Sequence, residues 1–183
     1  MKIVVLNGNP DEKNAAFDKY LADLGARLEE LGHAVDLLRL WEMDLRWCTG
    51  CFGCWVKTPG QCVSNDASHD VDRRVIHSDL VLFASPLLMG FPSAVLKKAQ
   101  DKLIGLVHPF IELVEGECHH IKRYERYPYL GVVVEREDDT DDEDLEIIRD
   151  IYRRTSLNFK SELRLFETTD RPAAEVADAV DRI

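Results

Sequence analysis

The sequence predicts a doubly wound α/β fold, in which a five-stranded parallel sheet of order 2-1-3-4-5 carries helices on both faces. Short apolar runs alternate with segments whose apolar residues recur at helical spacing, as in consecutive βαβ units. The runs lack the alternation of half-exposed strands, so we expect them to be buried on both sides. The chain has 183 residues, of which 45% are hydrophobic, and we expect a single domain over residues 1–183.

The amino-terminal half begins with strand, helix and strand. Residues 2–6 (KIVVL) form a β-branched run that stops at the turn residues Asn7-Gly8, which predicts a buried strand. Apolar residues then recur at helical spacing over 17–31, and Gly32 is placed to end that helix. Further along, the patterns predict a strand at 34–40, a short helix at 66–77 and a strand at 79–84 that is ended by Ser85-Pro86.

The carboxyl-terminal half continues the alternation. Residues 93–107 place Leu96, Ala99 and Leu103 on one helical face, whereas 112–129 are polar and aromatic and are interpreted as a long connection. The remaining predicted elements are a strand at 130–134, a helix at 140–152 that starts with a Thr140–Glu143 capping box, a weaker strand at 163–166 and a last helix opened by Pro172.

The charge of the chain limits its expected partners. Asp and Glu number 34 against 23 Lys and Arg, a formal net charge of -11. An acidic protein repels phosphate backbones and anionic lipid, so we expect no nucleic acid and no membrane as partner. No apolar run approaches the roughly 20 residues that cross a bilayer, and the first residues read as a strand rather than a signal peptide. We therefore expect a cytoplasmic location.

Two turns are expected at the ligand-binding edge of the sheet, beyond the carboxyl ends of strands 1 and 3. The first runs from Gly8 to Ala16 into a helix whose N-terminal N–H groups favour a phosphate; an ordinary turn with Asn14 as N-cap is the alternative. The second, Pro86 to Phe91, offers apolar side chains to a flavin ring; a strand exit packed under a helix is its alternative. The acidic run 135–143 follows the fourth strand at the same edge.

Four of the five cysteines lie in a loop at about 47–65 with the spacing C-x2-C-x2-C-x7-C. In a reducing compartment such clustering indicates metal or redox chemistry. Four thiolates ligate a [4Fe–4S] cluster, whereas structural zinc more often uses two separated CxxC pairs. The alternative is a set of reduced thiols, packed by the interleaved aromatic residues Trp47, Phe52 and Trp55.

Three blocks of sequence resemble the flavodoxin-like NADPH-dependent FMN reductases and, among them, the iron–sulfur flavoproteins. GNPDEKNAA stands where the family has a GSPRxxSNT-like phosphate loop. SPLLMGFPSAVLKKAQDKL resembles the segment (S/T)PxYxGxxSAxLKxxxDR, and CTGCFGCWVKTPGQCVSNDA resembles the compact cysteine segment. The chain departs from the pattern in having Asn9 for Ser, Asp11 for Arg, Ala15-Ala16 for Asn-Thr and Leu88 for Tyr.

The resemblance implies a homo-oligomeric FMN-dependent oxidoreductase that passes electrons from NAD(P)H or a reduced carrier to a small-molecule or protein acceptor. The flavin carries the chemistry, so no catalytic side chain is expected. The resemblance places FMN at Gly8, Asn9, Pro10, Lys13, Asn14, Ala15, Ala16, Pro86, Leu87, Leu88, Met89, Gly90 and Phe91. It places a [4Fe–4S] cluster at Cys48, Cys51, Cys54 and Cys62. A noncatalytic FMN electron carrier and a cysteine-based metal or redox sensor without flavin are the alternatives from other classes.

Overall fold

The computed structural model describes residues 1–10 and 14–183, and a central β-sheet organises it. The strands of the described part are β1 (Lys2–Asn7), β2 (Ala34–Arg39), β3 (Leu80–Leu88), β4 (Phe91–Pro92), β5 (Val107–Val114), β6 (Glu117–Lys122), β7 (Tyr129–Glu135) and β8 (Leu163–Thr168). Five of them pair in parallel in the order β2-β1-β3-β7-β8. This is the predicted 2-1-3-4-5 order, so the doubly wound fold is confirmed.

Helices cover both faces of this sheet. The helices of the described part are α1 (Ala15–Glu30), α2 (Gly53–Val56), α3 (Ser68–Ile76), α4 (Ala94–Lys102), α5 (Asp142–Asn158) and α6 (Ala173–Asp181), and all but the short α2 contribute to the two cores. Alternate residues of β1 enter different cores, since Val4 and Leu6 pack with α3, α4 and α5, whereas Ile3 and Val5 pack with α1 and α6. Burial on both faces is the physical reason why the strands read as continuous apolar runs. No helix of the described residues is long and apolar enough to cross a membrane.

The third strand does not end at Ser85-Pro86 as predicted. It continues to Leu88, and the chain turns back as the antiparallel strand β4. The turn has two residues, Met89 and Gly90, with φ values of 55° and 77°. Positive φ at both positions matches the right-handed twist of the flanking strands, so the second candidate turn is the tip of a hairpin.

Two further predictions are corrected. Residues 112–129 are not a plain connection, because β5 and β6 pair there as an antiparallel hairpin. Val107 is buried, but Phe110, Ile111 and Leu113 are 66%, 63% and 74% exposed, so β5 has no buried apolar pattern that would predict a strand. The N-cap of α5 is Asp141 rather than Thr140, since the Asp141 carboxylate accepts the N–H groups of Glu143 and Asp144. The helix predicted over 93–107 ends at Lys102 and continues only as a 3-10 turn.

Candidate functional site

The turn after β1 is held by its own asparagines. The side-chain carbonyl of Asn7 accepts the N–H of Asn9 at 2.9 Å, and the side-chain amide of Asn9 donates to the carbonyl of Asn14 at 3.0 Å. The side-chain oxygen of Asn14 accepts the N–H of Phe17 at 3.2 Å. Asn14 is therefore the N-cap of α1, as the alternative interpretation of this turn predicted.

Ser93 joins this turn to the third strand. Its hydroxyl donates to the carbonyl of Gly8, and its N–H donates to the hydroxyl of Ser85 at 2.8 Å. Gly8 in turn donates its N–H to the carbonyl of Ala84 at 2.8 Å. A Cβ on Gly8 would lie 2.6 Å from the Cβ of Leu96, so only glycine allows this approach to α4. The positions of the two candidate turns are thus fixed relative to each other.

The other predicted residues of the first turn differ in accessibility. Pro10 is half-buried, and Ala15 and Ala16 are exposed on the first turn of α1. Lys13 lies outside the described residues. What this turn offers to a phosphate is therefore the N-terminus of α1, whereas Asn9 is buried and the side chains of Asn9 and Asn14 already have hydrogen-bond partners.

The hairpin tip presents an apolar surface to solvent. Leu88, Met89 and Phe91 are 47%, 93% and 54% exposed. A Cβ on Gly90 would meet nothing within 4 Å, so the space beside the tip is open. Of the predicted residues, Pro86 and Leu87 are buried in the sheet and line no surface.

Two glutamates at the end of β7 contact both turns. The N–H groups of Met89 and Gly90 donate to the two carboxylate oxygens of Glu137 at 2.9 and 2.7 Å. These bonds lower the pKa of Glu137. The side-chain amide of Asn14 donates to Glu135 at 2.6 Å. The sequence places the acidic run at this edge, but it does not reveal which groups the carboxylates contact.

All four clustered cysteines line one cavity of about 420 Å³. Cys48 and Cys51 are exposed, Cys54 and Cys62 are half-buried, and all four are free thiols. Among the described residues, no three Cys, His, Asp or Glu side chains meet around a position for a single metal ion. A four-iron cluster places each thiolate on a different iron, so its sulfurs surround a volume rather than a point. Four thiolates are the donor set of a [4Fe–4S] cluster, and all four cysteines line the same cavity.

Burial and neighbouring groups set the properties of these thiols. Burial, with the other cysteines, raises the pKa of Cys54. The N–H of Gly53 and the side chain of Thr49 lower the pKa of the exposed Cys51. The sulfur of Cys62 accepts the N–H of Ser64 at 3.4 Å.

A buried ion pair lies beneath Cys62. Lys102 donates to the carboxylate of Asp66, and the two side chains are 1% and 0% exposed. The Lys102 ammonium also lies 3.7 Å from the sulfur of Cys62. Although burial disfavours the Asp66 charge, hydrogen bonds from Lys102 and Ser68 outweigh it and lower the pKa. The pair ties the end of the cysteine segment to α4, and the spacing of the cysteines gave no sign of it.

The aromatic residues of the segment have different roles. The indole N–H of Trp55 donates to the carbonyls of Ile104 and Val107 at 3.2 and 3.0 Å, so this side chain anchors the loop to the body of the protein. Phe52 stacks on it with ring centroids 5.2 Å apart. Trp47 is 58% exposed at the cavity wall, with the Lys98 ammonium 5.4 Å from its ring centroid.

Comparison with known proteins agrees with this geometry. A family profile described as NADPH-dependent FMN reductase matches residues 1–110, which include both turns and the cysteine segment. The chain belongs to the NADPH-dependent FMN reductase family. The match ends before β6, so it covers both turns and the cysteine segment but not Glu135 and Glu137.

Three individual proteins illustrate the relationship. Two iron-sulfur flavoproteins of Archaeoglobus fulgidus are 24% identical over 102 residues and 32% identical over 108 residues, which cover 56% and 59% of this chain. The matched segment spans about half of each relative, 48% in both cases. An FMN-dependent NADH-azoreductase from Bacillus anthracis, solved in complex with FMN, has a TM-score of 0.66 and 13% identity over 100% of this chain and 99% of its own. At that identity the likeness establishes the fold alone.

Proposed function

We propose that this protein is an FMN-dependent oxidoreductase that takes electrons from NAD(P)H and passes them to an acceptor. One observation carries most of the weight: Ser93 links two turns at the reversal point of the sheet, of which one leads into the N-terminus of α1 and the other is exposed and apolar. This arrangement suits a planar ligand with a phosphate at one end. Family membership and the FMN complex of the structural neighbour support the same conclusion.

The residues of this chain bind and orient, and the cofactor reacts. FMN, when bound, accepts a hydride from NAD(P)H and passes electrons onward. The N-terminus of α1 would bind the phosphate, Asn9 would hold the shape of the turn through its bond to Asn14, and the side-chain amide of Asn14 would donate to the phosphate only after releasing Glu135. Leu88, Met89 and Phe91 cover the ring, and the N–H groups at the hairpin tip serve its polar edge. No side chain needs to act as a nucleophile.

We extend the proposal to a [4Fe–4S] cluster on Cys48, Cys51, Cys54 and Cys62, rather than four packed thiols. The four sulfurs share one cavity, and the two curated relatives are iron-sulfur flavoproteins. A cluster transfers electrons singly, so beside a flavin it would serve a one-electron acceptor. The cytoplasmic location and the homo-oligomeric state predicted from the sequence stay predictions, as does the single domain.

Anaerobic spectroscopy tests both parts. The chain is purified without air, mixed with FMN and titrated with NADH or NADPH while the flavin absorbance is followed. We expect bleaching, and recovery of the absorbance when a quinone is added. Bound flavin that neither nucleotide bleaches would instead indicate a noncatalytic carrier, and a chain that binds no FMN would indicate a thiol-based sensor. Iron and acid-labile sulfide are assayed on the same sample, and about four irons per chain support the cluster. Bound flavin without iron would reject it.

A further inference from the structure

The hairpin tip directs its polar groups at one side chain. Met89 and Gly90 both adopt positive φ, and their consecutive N–H groups converge on the Glu137 carboxylate at 2.9 and 2.7 Å. Hydrogen bonds to a charged acceptor are about twice as strong as neutral ones. Two main-chain donors that a flavin edge would need are therefore already occupied by an anion.

Glu137 is held in place by its own backbone. Its N–H donates to the hydroxyl of Thr140 at 2.9 Å, and its carbonyl accepts the N–H of Thr140 at 3.1 Å. No cation within the described residues pairs with its carboxylate, which leaves the two N–H groups as its stabilising contacts. The backbone of the turn between β7 and α5 therefore positions Glu137 for its contact with the hairpin tip.

The first turn carries a similar contact from the same strand. Glu135 is the last residue of β7, and its carboxylate accepts the side-chain amide of Asn14 at 2.6 Å. Asn14 lies 121 residues away in the chain, at the start of α1. Carboxylates from one strand end thus occupy donors of both turns.

We propose that Glu137, assisted by Glu135, is an internal competitor that sets the affinity for FMN. This inference rests on the proposed function. It gives the glutamates near the end of β7 a role of their own, which is to limit how tightly the two turns bind FMN. FMN binds only the fraction of molecules in which Glu137 has left the tip, so the apparent dissociation constant is the intrinsic one divided by that fraction. The carboxylates therefore keep FMN exchangeable, whereas their loss produces a tightly held cofactor.

Flavin fluorescence quenching measures the effect directly. Wild type, Glu137→Ala, Glu137→Gln and Asp139→Ala are each titrated with FMN. Asp139 is a matched control, because it is exposed in the same loop and its carboxylate pairs with none of the described residues. We expect Glu137→Ala to bind FMN about tenfold more tightly, and Glu137→Gln to lie between it and wild type because a neutral carbonyl still accepts weakly. Asp139→Ala should stay within about twofold of wild type.

Each other outcome overturns the inference. Equal gains for Glu137→Ala and Asp139→Ala would show that net charge, not the contact, limits affinity. Unchanged or weaker binding by both Glu137 variants, with wild type binding FMN, would reject the competitor and leave the proposed function intact. Absence of binding in wild type and all variants would reject the proposed function and the inference with it. If Glu137→Ala does not fold, as judged by circular dichroism, Glu137→Gln alone decides.

Discussion

The sheet edge and the cysteine segment prepare their candidate ligand sites in different ways. At the sheet edge, Asn7 of β1 pairs with Ala84 of β3, so the ladder of parallel strands sets where both turns begin. The cysteine segment lies between β2 and α3 and contains only the four-residue helix α2. Its free sulfurs line an open cavity, and the buried pair of Lys102 with Asp66 anchors its end.

The difference shows which parts of a site secondary structure can build in advance. Turns that follow strand ends are positioned by the sheet before any ligand binds, and here donors of both turns bond to the carboxylates of Glu135 and Glu137. A cluster site made of loop thiols depends on a few buried side chains to bring its ligands to one place. Four substitutions test this contrast, from the largest expected effect to the smallest.

Lys102→Met should have the largest effect on stability. It leaves Asp66 as a buried charge without its partner, which costs about 3–5 kcal/mol. Urea unfolding followed by circular dichroism measures the loss. Lys97→Met is the control, because Lys97 lies on the same helix in an exposed pair with Asp101 and should cost no more than about 0.5 kcal/mol. FMN affinity in the folded population should not change; a parallel loss of affinity would show that the two regions are coupled.

Asp72→Asn, in α3, should make the free energy of unfolding less dependent on pH. Asp72 is 4% exposed, and burial raises its pKa to about 8 although Lys102 opposes the shift. In the unfolded chain this carboxyl has a pKa near 3.9. Between about pH 4 and 8 it is therefore protonated in the folded state and ionised in the unfolded state. The free energy of unfolding of wild type then falls by up to about 1.4 kcal/mol for each unit that the pH rises. Asparagine cannot ionise, so the advantage of the variant should grow by roughly 2–3 kcal/mol from about pH 5 to 7. A constant difference across urea unfolding curves in this range would refute the buried neutral carboxyl.

Ser93→Ala should weaken the sheet edge selectively. It removes the N-cap of α4 and the hydrogen bond to Gly8, at a cost of about 1–2 kcal/mol in thermal or urea unfolding. FMN affinity should fall as well, because the two turns lose their link. Ser156→Ala removes a buried hydroxyl that bonds only within α5, to the carbonyl of Arg153. Equal FMN affinities for the two variants would mean that Ser93 does not align the turns.

Trp47→Ala should have the smallest effect on the fold. The side chain is largely exposed, and its contact with Lys98 is worth at most about 1 kcal/mol at such a site. FMN affinity should remain at the wild-type value. Iron should be lost faster in air, because Trp47 forms part of the wall beside Cys48. Identical iron retention in variant and wild type would show that Trp47 does not shield the proposed cluster.

Much of the fold could be predicted because burial leaves a strong pattern. Both cores take alternate residues from the same strands, and this produces the continuous apolar runs at 2–6 and 130–134. The β5–β6 hairpin escaped prediction because most apolar side chains of β5 face solvent. The dipeptide Ser85-Pro86 resembles the end of a strand, but the strand continues to Leu88.

The candidate site was predicted only where its residues are close in sequence. The cysteine spacing and the Asn14 cap are local signals, and the structure contains the cap and places the cysteines around one cavity. The hydrogen bonds between the two turns and the two glutamates join residues that are distant in sequence. Asn14 and Glu135 are 121 positions apart, and Met89 and Glu137 are 48 positions apart. No periodicity records such pairings, since they follow from the parallel order of the strands.

The separateness of the two sites is tested most directly by one FMN titration. Wild type and a variant with Cys48, Cys51, Cys54 and Cys62 all replaced by serine are titrated side by side, and quenching of flavin fluorescence gives stoichiometry and affinity. We expect one FMN per chain with the same affinity in both proteins, because the proposed FMN site is built from strand ends and the N-terminus of α1. No quenching in wild type, or loss of binding in the serine variant, would contradict a preformed flavin site at the sheet edge.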